Sequence, residues 1–320
     1  MNKRFAIACS GGAALLAAAG AAQSSCGSAF CVLNTNWSTQ GVASEPGAFR
    51  LDERFEFVDQ KHLQSGTKRI SQADDTADTT ELRTINRNLL TTLDYTVSKN
   101  WAVSVSAPVV SRSHSHIDDP TGAATFEKWD FTKIGDTRVL GMYRFDNEKN
   151  PVVSQGVIFG LKLPTGGYRI SNADGAVAER ALQPGTGSTD LVLGGYYFAP
   201  GIHLDSNWFV QALYQQAVST KEEYKPGNQF QLNAGYRYPL GHDLHALLQV
   251  NSSIKGRDSG ANAEPDLSGS KSVFLSPGLI YSLTHDLQLY SFVQVPIYRF
   301  YNGTQLSVDW AFVAGATMRF

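Results

Sequence analysis

Histidine serves acid–base catalysis and metal binding near neutral pH more often than other side chains, and this 320-residue chain contains seven histidines. His114 and His116 lie two residues apart in the stretch SHSHIDD, and two aspartates follow them. Residues two apart share one face of a strand, so this pair can bind a cation. The alternative is that these residues are polar simply because they lie in a solvated loop. His242 and His285 each precede an aspartate in short segments typical of turns.

Serine hydrolysis needs a nucleophile beside a base, often on a sharp strand-to-helix turn of sequence G-x-S-x-G. No such motif stands at a strand-to-helix turn in this sequence, and no nucleophile–base pair is evident. We therefore predict no catalytic residue, no metal site and no cofactor.

The first 22 residues resemble a secretory signal peptide. Lys3 and Arg4 precede a run of small apolar residues, and the run ends in AGAA, which offers small-residue cleavage sites. A buried helix of the mature fold is the alternative. Cleavage leaves two cysteines, Cys26 and Cys31, in an oxidising compartment, where a local disulfide is the first expectation. Metal-binding thiolates and free thiols are the alternatives.

Composition excludes several classes of protein. The chain is 42% hydrophobic, yet after the signal peptide it has no apolar run of about 20 residues, the length that a membrane helix needs. A formal net charge of -2 gives no argument for a nucleic acid partner.

Alternation of apolar and polar residues is the dominant pattern after residue 48. It predicts about twelve strands, each near the nine to eleven residues that cross a bilayer when tilted. The segments are 49–57, 85–97, 101–109, 139–145, 153–163, 191–197, 208–214, 230–238, 244–250, 273–283, 287–297 and 306–320.

The connections between these segments alternate between short and long, as in barrels with brief periplasmic turns and extended outer loops. We expect the long ones to include residues 113–129 and 164–187. The predicted fold is all-β: a transmembrane antiparallel up-and-down β-barrel of about twelve strands, both termini periplasmic. The domains are the signal peptide at 1–22, an N-terminal periplasmic segment at 23–47, and the barrel at 48–320. A soluble β-sandwich also alternates, but its outward polar face carries many Lys and Glu residues.

The last strand ends in a bare aromatic residue. Trp310, Phe312 and Phe320 lie on its apolar face, and this ending is typical of the signal read by the outer-membrane barrel-assembly machinery. The last strand would pair with the first and so remove both sheet edges. We expect outer-membrane lipid and lipopolysaccharide as surroundings, with aromatic residues near the strand ends forming girdles.

Three stretches carry a family resemblance: KIGDTRVLGMYRF (133–145), GLKLPTGGY (160–168) and LQPGTGSTDLVLGGYY (182–197). They resemble the outer-membrane proteins grouped as "MetA-pathway of phenol degradation", a family often compared with fatty-acid and aromatic-hydrocarbon channels. The resemblance extends from about residue 52 to the end and implies a channel or uptake role. The fatty-acid channels are longer and have an N-terminal hatch, so their ligand residues do not transfer.

The polar parity of each strand predicts the residues that face the lumen. Both charge signs occur there, so no single-sign field selects ions, and paired charges can simply brace the wall. An aromatic track can pass a hydrophobic solute, and the N-terminal segment can plug a barrel of this width. The predicted pore-lining residues are Arg50, Arg54, Glu56, Asp136, Arg138, Arg144, Lys162, Asp190, Arg237, Asp309, Phe209, Tyr290 and Phe292.

These features together predict an outer-membrane channel for small, hydrophobic or aromatic molecules, working by passive or facilitated diffusion. The alternatives are a structural or adhesin-like barrel with a closed lumen, and a lipase-like barrel hydrolase.

Overall fold

A computed structural model describes residues 45–72, 79–118, 124–147, 149–150, 152–203 and 205–320. The predicted signal peptide and the Cys26–Cys31 pair lie outside the described residues. Single-turn 3-10 helices at Arg180–Leu182 and Pro265–Leu267 accompany the strands. The strands are β1 (Phe49–Gly66), β2 (Lys68–Ile70), β3 (Thr79–Thr96), β4 (Trp101–Asp118), β5 (Thr125–Ile134), β6 (Thr137–Phe145), β7 (Ser154–Leu163), β8 (Thr189–Pro200), β9 (Asn207–Ser219), β10 (Gln229–Pro239), β11 (Leu244–Lys255), β12 (Ser270–Ser282) and β13 (Leu287–Arg319).

Antiparallel pairing closes these strands into a barrel. Successive strands pair from β3 to β13, β4 pairs with β6 across the β5 insertion, and β1 pairs with both β3 and β13. β2 and β5 lie outside this closed path and pair with β1 and β4 respectively. The predicted all-β barrel is confirmed. Within the described part of the chain, no helix combines the length and apolar character needed to cross a membrane.

β13 runs along the barrel wall twice, in opposite directions. Its 33 residues would extend for about 110 Å in one direction. Instead the amide of Arg319 donates to the carbonyl of Asp286, which immediately precedes the strand, at 2.9 Å. The chain reverses near Gly303, whose φ of 64° suits a residue without a Cβ. The first half pairs with β12 and the second half with β1, so the barrel has about twelve passes, as predicted.

An apolar belt surrounds the barrel. On β4, Trp101, Val103, Val105 and Val109 are exposed on the outer face, as expected for side chains in lipid. Beyond them the outward-facing residues become serines, at 111, 113 and 115. Strand pairing nevertheless continues, so β4 and β5 form a hairpin above the belt, where residues 113–129 were expected to be a loop. The expectation failed because backbone pairing does not stop where the lipid ends.

The second half of β13 departs from regular alternation at Asp309. Asp59 pairs with Trp310 and Gln60 pairs with Val308, which leaves Asp309 as a bulge. A bulge shifts the parity of the residues on one side of it. Leu306 is consequently buried, although the simple alternation places it on the same outer face as Trp310.

Candidate functional site

A cavity of about 260 Å³ lies inside the barrel. Apolar side chains of β3, β4, β6, β7 and β9 form part of its wall: Leu90, Pro108, Leu140, Met142, Ile158 and Leu213. Charged and amide side chains form another part, including Arg54, Arg138, Lys162, Asp190, Gln211 and Gln215. The site is therefore amphipathic, the usual character of a small-molecule pocket.

Residues 164–188, which connect β7 to β8 and are called the inner loop below, contribute to the cavity wall. Arg180, Gln183 and Pro184 of this loop line the cavity beside the strands. The loop therefore folds into the lumen and narrows it.

Asp136 anchors the inner loop. It lies in the two-residue break between β5 and β6, where the ladder is interrupted and a side chain can turn inward. Its carboxylate accepts hydrogen bonds from the amides of Gly166 and Thr186, at 3.1 and 2.9 Å. Lys162 Nζ lies 2.9 Å from the same carboxylate. Because charge-assisted hydrogen bonds are the stronger class, one side chain fixes both ends of the loop.

Three glycines allow the inner loop to approach the wall. A Cβ built on Gly185 would lie 2.5 Å from the carbonyl oxygen of Gly166, and one on Gly166 would lie 2.8 Å from the Cα of Gly185. A Cβ on Gly135 would lie 2.9 Å from Pro108. Each glycine belongs to a different one of the three stretches that carried the family resemblance, so the structure brings those stretches together.

Arg180 joins the inner loop to the connection between β9 and β10. Its guanidinium lies over the rings of Tyr168 and Tyr224, 4.7 and 4.9 Å from their centroids. The same group donates to Glu222 and to the carbonyl of Thr186, both at 2.9 Å. Arg180 thus holds the inner loop to the connection between β9 and β10, in addition to the anchor that Asp136 provides.

Tyr224 is itself held in place by the connection between β11 and β12. Its hydroxyl donates to Asp258 at 2.9 Å. Burial raises the pKa of the Tyr224 hydroxyl well above its ordinary value, and the neighbouring Asp258 carboxylate adds to the rise. Tyr224 therefore stays a neutral hydrogen-bond donor at physiological pH.

Polar groups on the wall form a continuous network. Lys162 Nζ contacts Ser188 at 3.1 Å and lies 3.3 Å from Asp190. Gln215 donates to Asp190 at 2.6 Å and accepts from Arg138 at 3.0 Å. The charged side chains that face the cavity thus form hydrogen bonds and ion pairs with their neighbours. Their positions are therefore fixed before a solute binds.

An apolar cluster lies inside the barrel near the rim that carries the short turns. Phe198 lies two residues before the end of β8, and Phe209 lies two residues after the start of β9. Tyr290, on the first half of β13, extends past Gly315 of the second half and donates to Asp52 of β1 at 3.0 Å. The cluster, called the rim cluster below, consists of Phe198, Phe209, Leu247, Ile280, Tyr290, Phe292 and Val313.

Sequence comparison identifies the family. Residues 84–299 match the family described as "MetA-pathway of phenol degradation", which covers more than half of the chain. The chain belongs to this family. The three quoted stretches that meet at the inner loop lie within the matched region. No curated protein sequence matches the chain.

Solved structures are similar to the chain to different degrees. The COG4313 outer membrane channel from Pseudomonas putida F1 has a TM-score of 0.62 and 12% identity, over 87% of this chain and 97% of that one. The β domain of the Bordetella autotransporter BrkA has a TM-score of 0.46 and 10% identity, over 86% and 100%. A Pseudomonas aeruginosa FadL homologue has a TM-score of 0.40 and 11% identity, over 88% and 92%. The first of these similarities identifies an outer-membrane β-barrel fold for this member of the family.

The structure distributes the predicted pore residues among several environments. Eight are accounted for by the two features described above. The cavity is lined by Arg54, Asp136, Arg138, Lys162 and Asp190, and the rim cluster contains Phe209, Tyr290 and Phe292.

The other five predicted pore residues lie elsewhere. Glu56 pairs with Arg54 at 2.9 Å, and Arg50 pairs with Asp94. Arg237 lies 2.6 Å from His245, and Arg144 lies one residue before the end of β6. Asp309 lies in the bulge between β1 and β13, 2.7 Å from His62 and 3.0 Å from Arg69.

Sequence reasoning missed the inner loop as part of the site. Residues 164–187 were expected to be an outer connection, and none of Arg180, Gln183 and Thr186 was named. The available signal was the concentration of glycine in two neighbouring motifs, because closely spaced glycines often mark a close approach between backbones.

Proposed function

We propose that the barrel is a channel through which small hydrophobic or aromatic molecules cross the outer membrane by passive or facilitated diffusion. The amphipathic cavity carries this proposal. An apolar cavity of about 150 Å³ is large enough for benzene. A cavity of about 260 Å³ therefore admits a single aromatic ring with a polar substituent. The ring would lie against Leu140, Met142 and Ile158, and a hydroxyl group would face the glutamines of β9.

Family membership supports the same class of solute, because the family description refers to phenol degradation. The resemblance of the fold to the Pseudomonas putida outer membrane channel is consistent with a transport role. Mixed charge on the wall argues against selection of one sign of ion.

Ser104 offers a direct test, since it lines the cavity and is nearly buried. Purified protein is reconstituted in liposomes, and the entry of phenol is compared with that of glucose. We expect phenol to enter faster, and Ser104→Phe to reduce its rate at least fivefold by filling the cavity. Val103→Phe is the matched control, because Val103 is the adjacent residue and faces lipid. Equal phenol entry in Ser104→Phe and wild-type liposomes would reject the cavity as the route.

A barrel with a closed lumen is the second candidate, and the rim cluster favours it. Planar-bilayer recordings separate the two. A channel gives discrete openings in wild-type protein, whereas a closed barrel gives none, even when residues 24–45 are deleted.

We propose that residues 1–22 are removed, that both ends of the mature chain lie in the periplasm, and that residues 23–47 carry a Cys26–Cys31 disulfide. Lipopolysaccharide would surround the outer part of the belt. We also propose that the barrel is not an enzyme, so purified protein should hydrolyse ester substrates no faster than buffer alone.

A further inference from the structure

Three metal-binding side chains meet above the apolar belt, outside the cavity already described. They are Glu81 of β3 and His114 and His116 of β4, and one ligand atom from each lies within 4.8 Å of those of the other two. Both histidines face inward, on the same parity as Arg112, which is also buried.

A β-bulge places Glu81 in this group. Thr84 pairs with His114 and Arg83 with Ser115, but Glu81 pairs with His116, so the register shifts by one residue at Leu82. Without the shift, Glu81 would have the parity of the exposed Arg83. Bulges commonly re-aim a side chain beside a functional site.

The distances between the donor atoms suit a tetrahedral cation. His114 Nε2 lies 3.4 Å from Glu81 Oε2 and 3.3 Å from His116 Nδ1. Since Zn–N bonds are about 2.0–2.1 Å, neighbouring ligands of a tetrahedral zinc ion lie about 3.3 Å apart. Two edges of the required tetrahedron are therefore already present.

The other ring nitrogen of each histidine also has a partner. Thr84 Oγ1 lies 2.8 Å from His114 Nδ1, and Glu127 Oε2 of β5 lies 3.5 Å from His116 Nε2. Metal-binding histidines almost always use their second nitrogen in this way, which fixes the ring and its tautomer.

Trp129 of β5 covers the histidines. Its ring centroid lies 5.8 Å from that of His114 and 4.9 Å from that of His116. Its indole nitrogen donates to the carbonyl of Ala176 in the inner loop at 2.9 Å. The histidine pair is thus buried, and only the side chain of Trp129 separates it from the inner loop.

We propose that Glu81, His114 and His116 bind a divalent transition-metal cation of the zinc class. Imidazole and carboxylate are common zinc ligands, and Glu81 and Glu127 supply negative charge to balance the cation. Three protein ligands leave a fourth position for water. The bound cation joins β3 to β4 and fixes the histidines beneath Trp129, so it stabilises the extension of the barrel and the seat of the inner loop. This inference does not depend on the proposed channel function.

Calorimetric titration of zinc chloride into the untagged, detergent-solubilised protein tests the proposal. We expect one Zn²⁺ per barrel with a micromolar or lower dissociation constant. His114→Ala and His116→Ala should each weaken binding at least 100-fold. Glu127→Gln keeps all three ligands and should weaken it 10- to 100-fold, the range for a partner of a ligating histidine. His285→Ala is the control, because its side chain is 92% exposed in a turn, and it should change the affinity less than twofold.

Fluorescence gives a second readout. Co²⁺ bound beneath Trp129 should quench part of the tryptophan emission, and Trp129→Phe should abolish that fraction while binding continues. Absence of zinc binding by wild-type protein up to 1 mM, or unchanged affinity in both histidine variants, would overturn the proposal. If a histidine variant does not fold, the wild-type stoichiometry and the Glu127→Gln affinity still decide the question.

Discussion

Asp136 illustrates how a single carboxylate can position a loop inside a barrel. Its side chain is only 7% exposed, and it accepts from two amides of the inner loop while pairing with Lys162. Loss of one partner from a buried ion pair costs about 3–5 kcal/mol, because the remaining charge stays buried without compensation. Asp190, at 3.3 Å from Lys162, reduces that cost here.

Replacement of Asp136 by alanine should therefore release the inner loop more than it unfolds the barrel. We expect trypsin to cut after Arg169 or Arg180 at least tenfold faster in Asp136→Ala than in wild-type protein, and single-channel conductance to rise. Asp130→Asn is the control, since Asp130 is half-exposed and outside the cavity. If trypsin cleaved Asp136→Ala no faster than the wild-type protein, the carboxylate would not hold the loop.

The contacts of the inner loop give a physical reason for the glycines in the family motifs. Gly166 and Gly185 contact each other through backbone atoms, so no side chain fits between them. Inserting even a methyl group into close-packed structure typically costs about 1–3 kcal/mol.

Gly185→Ala should displace the loop for this steric reason, with Asp136 left intact. We expect faster cleavage after Arg180 and a lower midpoint of thermal unfolding. Gly241→Ala provides the comparison, because a Cβ on Gly241 would have no atom within 4 Å and its backbone φ is not positive. If the two alanine variants melted at the same temperature and were cleaved equally fast, the close approach of Gly166 and Gly185 would not matter.

Alternation along the sequence was sufficient to predict the wall of the barrel, because lipid requires an apolar outer face on every strand. Leu89, Leu93 and Tyr95 are exposed as predicted, and Asn86 and Asn88 are buried. Departures from the predicted parity occur at β-bulges. The bulges at Leu82 and Asp309 change parity without any local sequence mark.

The same distinction explains what could be predicted of the site. The inward parity of Arg54, Arg138 and Lys162 followed from their strands, and all three line the cavity. The positions of Arg180 and Trp129 depend on tertiary contacts of the inner loop, which periodicity does not encode.

At the scale of the whole molecule, the pairing of β1 with β13 closes the barrel, and this seam extends to Phe320. The amide of Phe320 donates to the carbonyl of Phe49 at 3.0 Å, and the amide of Phe49 donates back at 2.8 Å. The two rings stack with centroids 5.8 Å apart, and Trp310 packs on Phe57 farther along the same seam. A closed seam matters because an unpaired strand edge has no partner in hydrocarbon.

These contacts separate two roles that Phe320 can have. Deletion of Phe320 removes both backbone hydrogen bonds, whereas Phe320→Ala keeps them and loses only the ring pair, worth about 0.5–1.5 kcal/mol. If the residue acts through the seam, the deletion should slow folding of purified protein into lipid vesicles, and Phe320→Ala should slow it less. If it is also recognised by the assembly machinery, Phe320→Ala should lower the amount of folded barrel in cells far more than it lowers folding in vesicles. Tyr281→Ala, which removes an exposed aromatic residue from β12 away from the seam, should leave both measurements near wild type. Equal folding of the deletion variant and the wild-type protein in both settings would show that neither role applies.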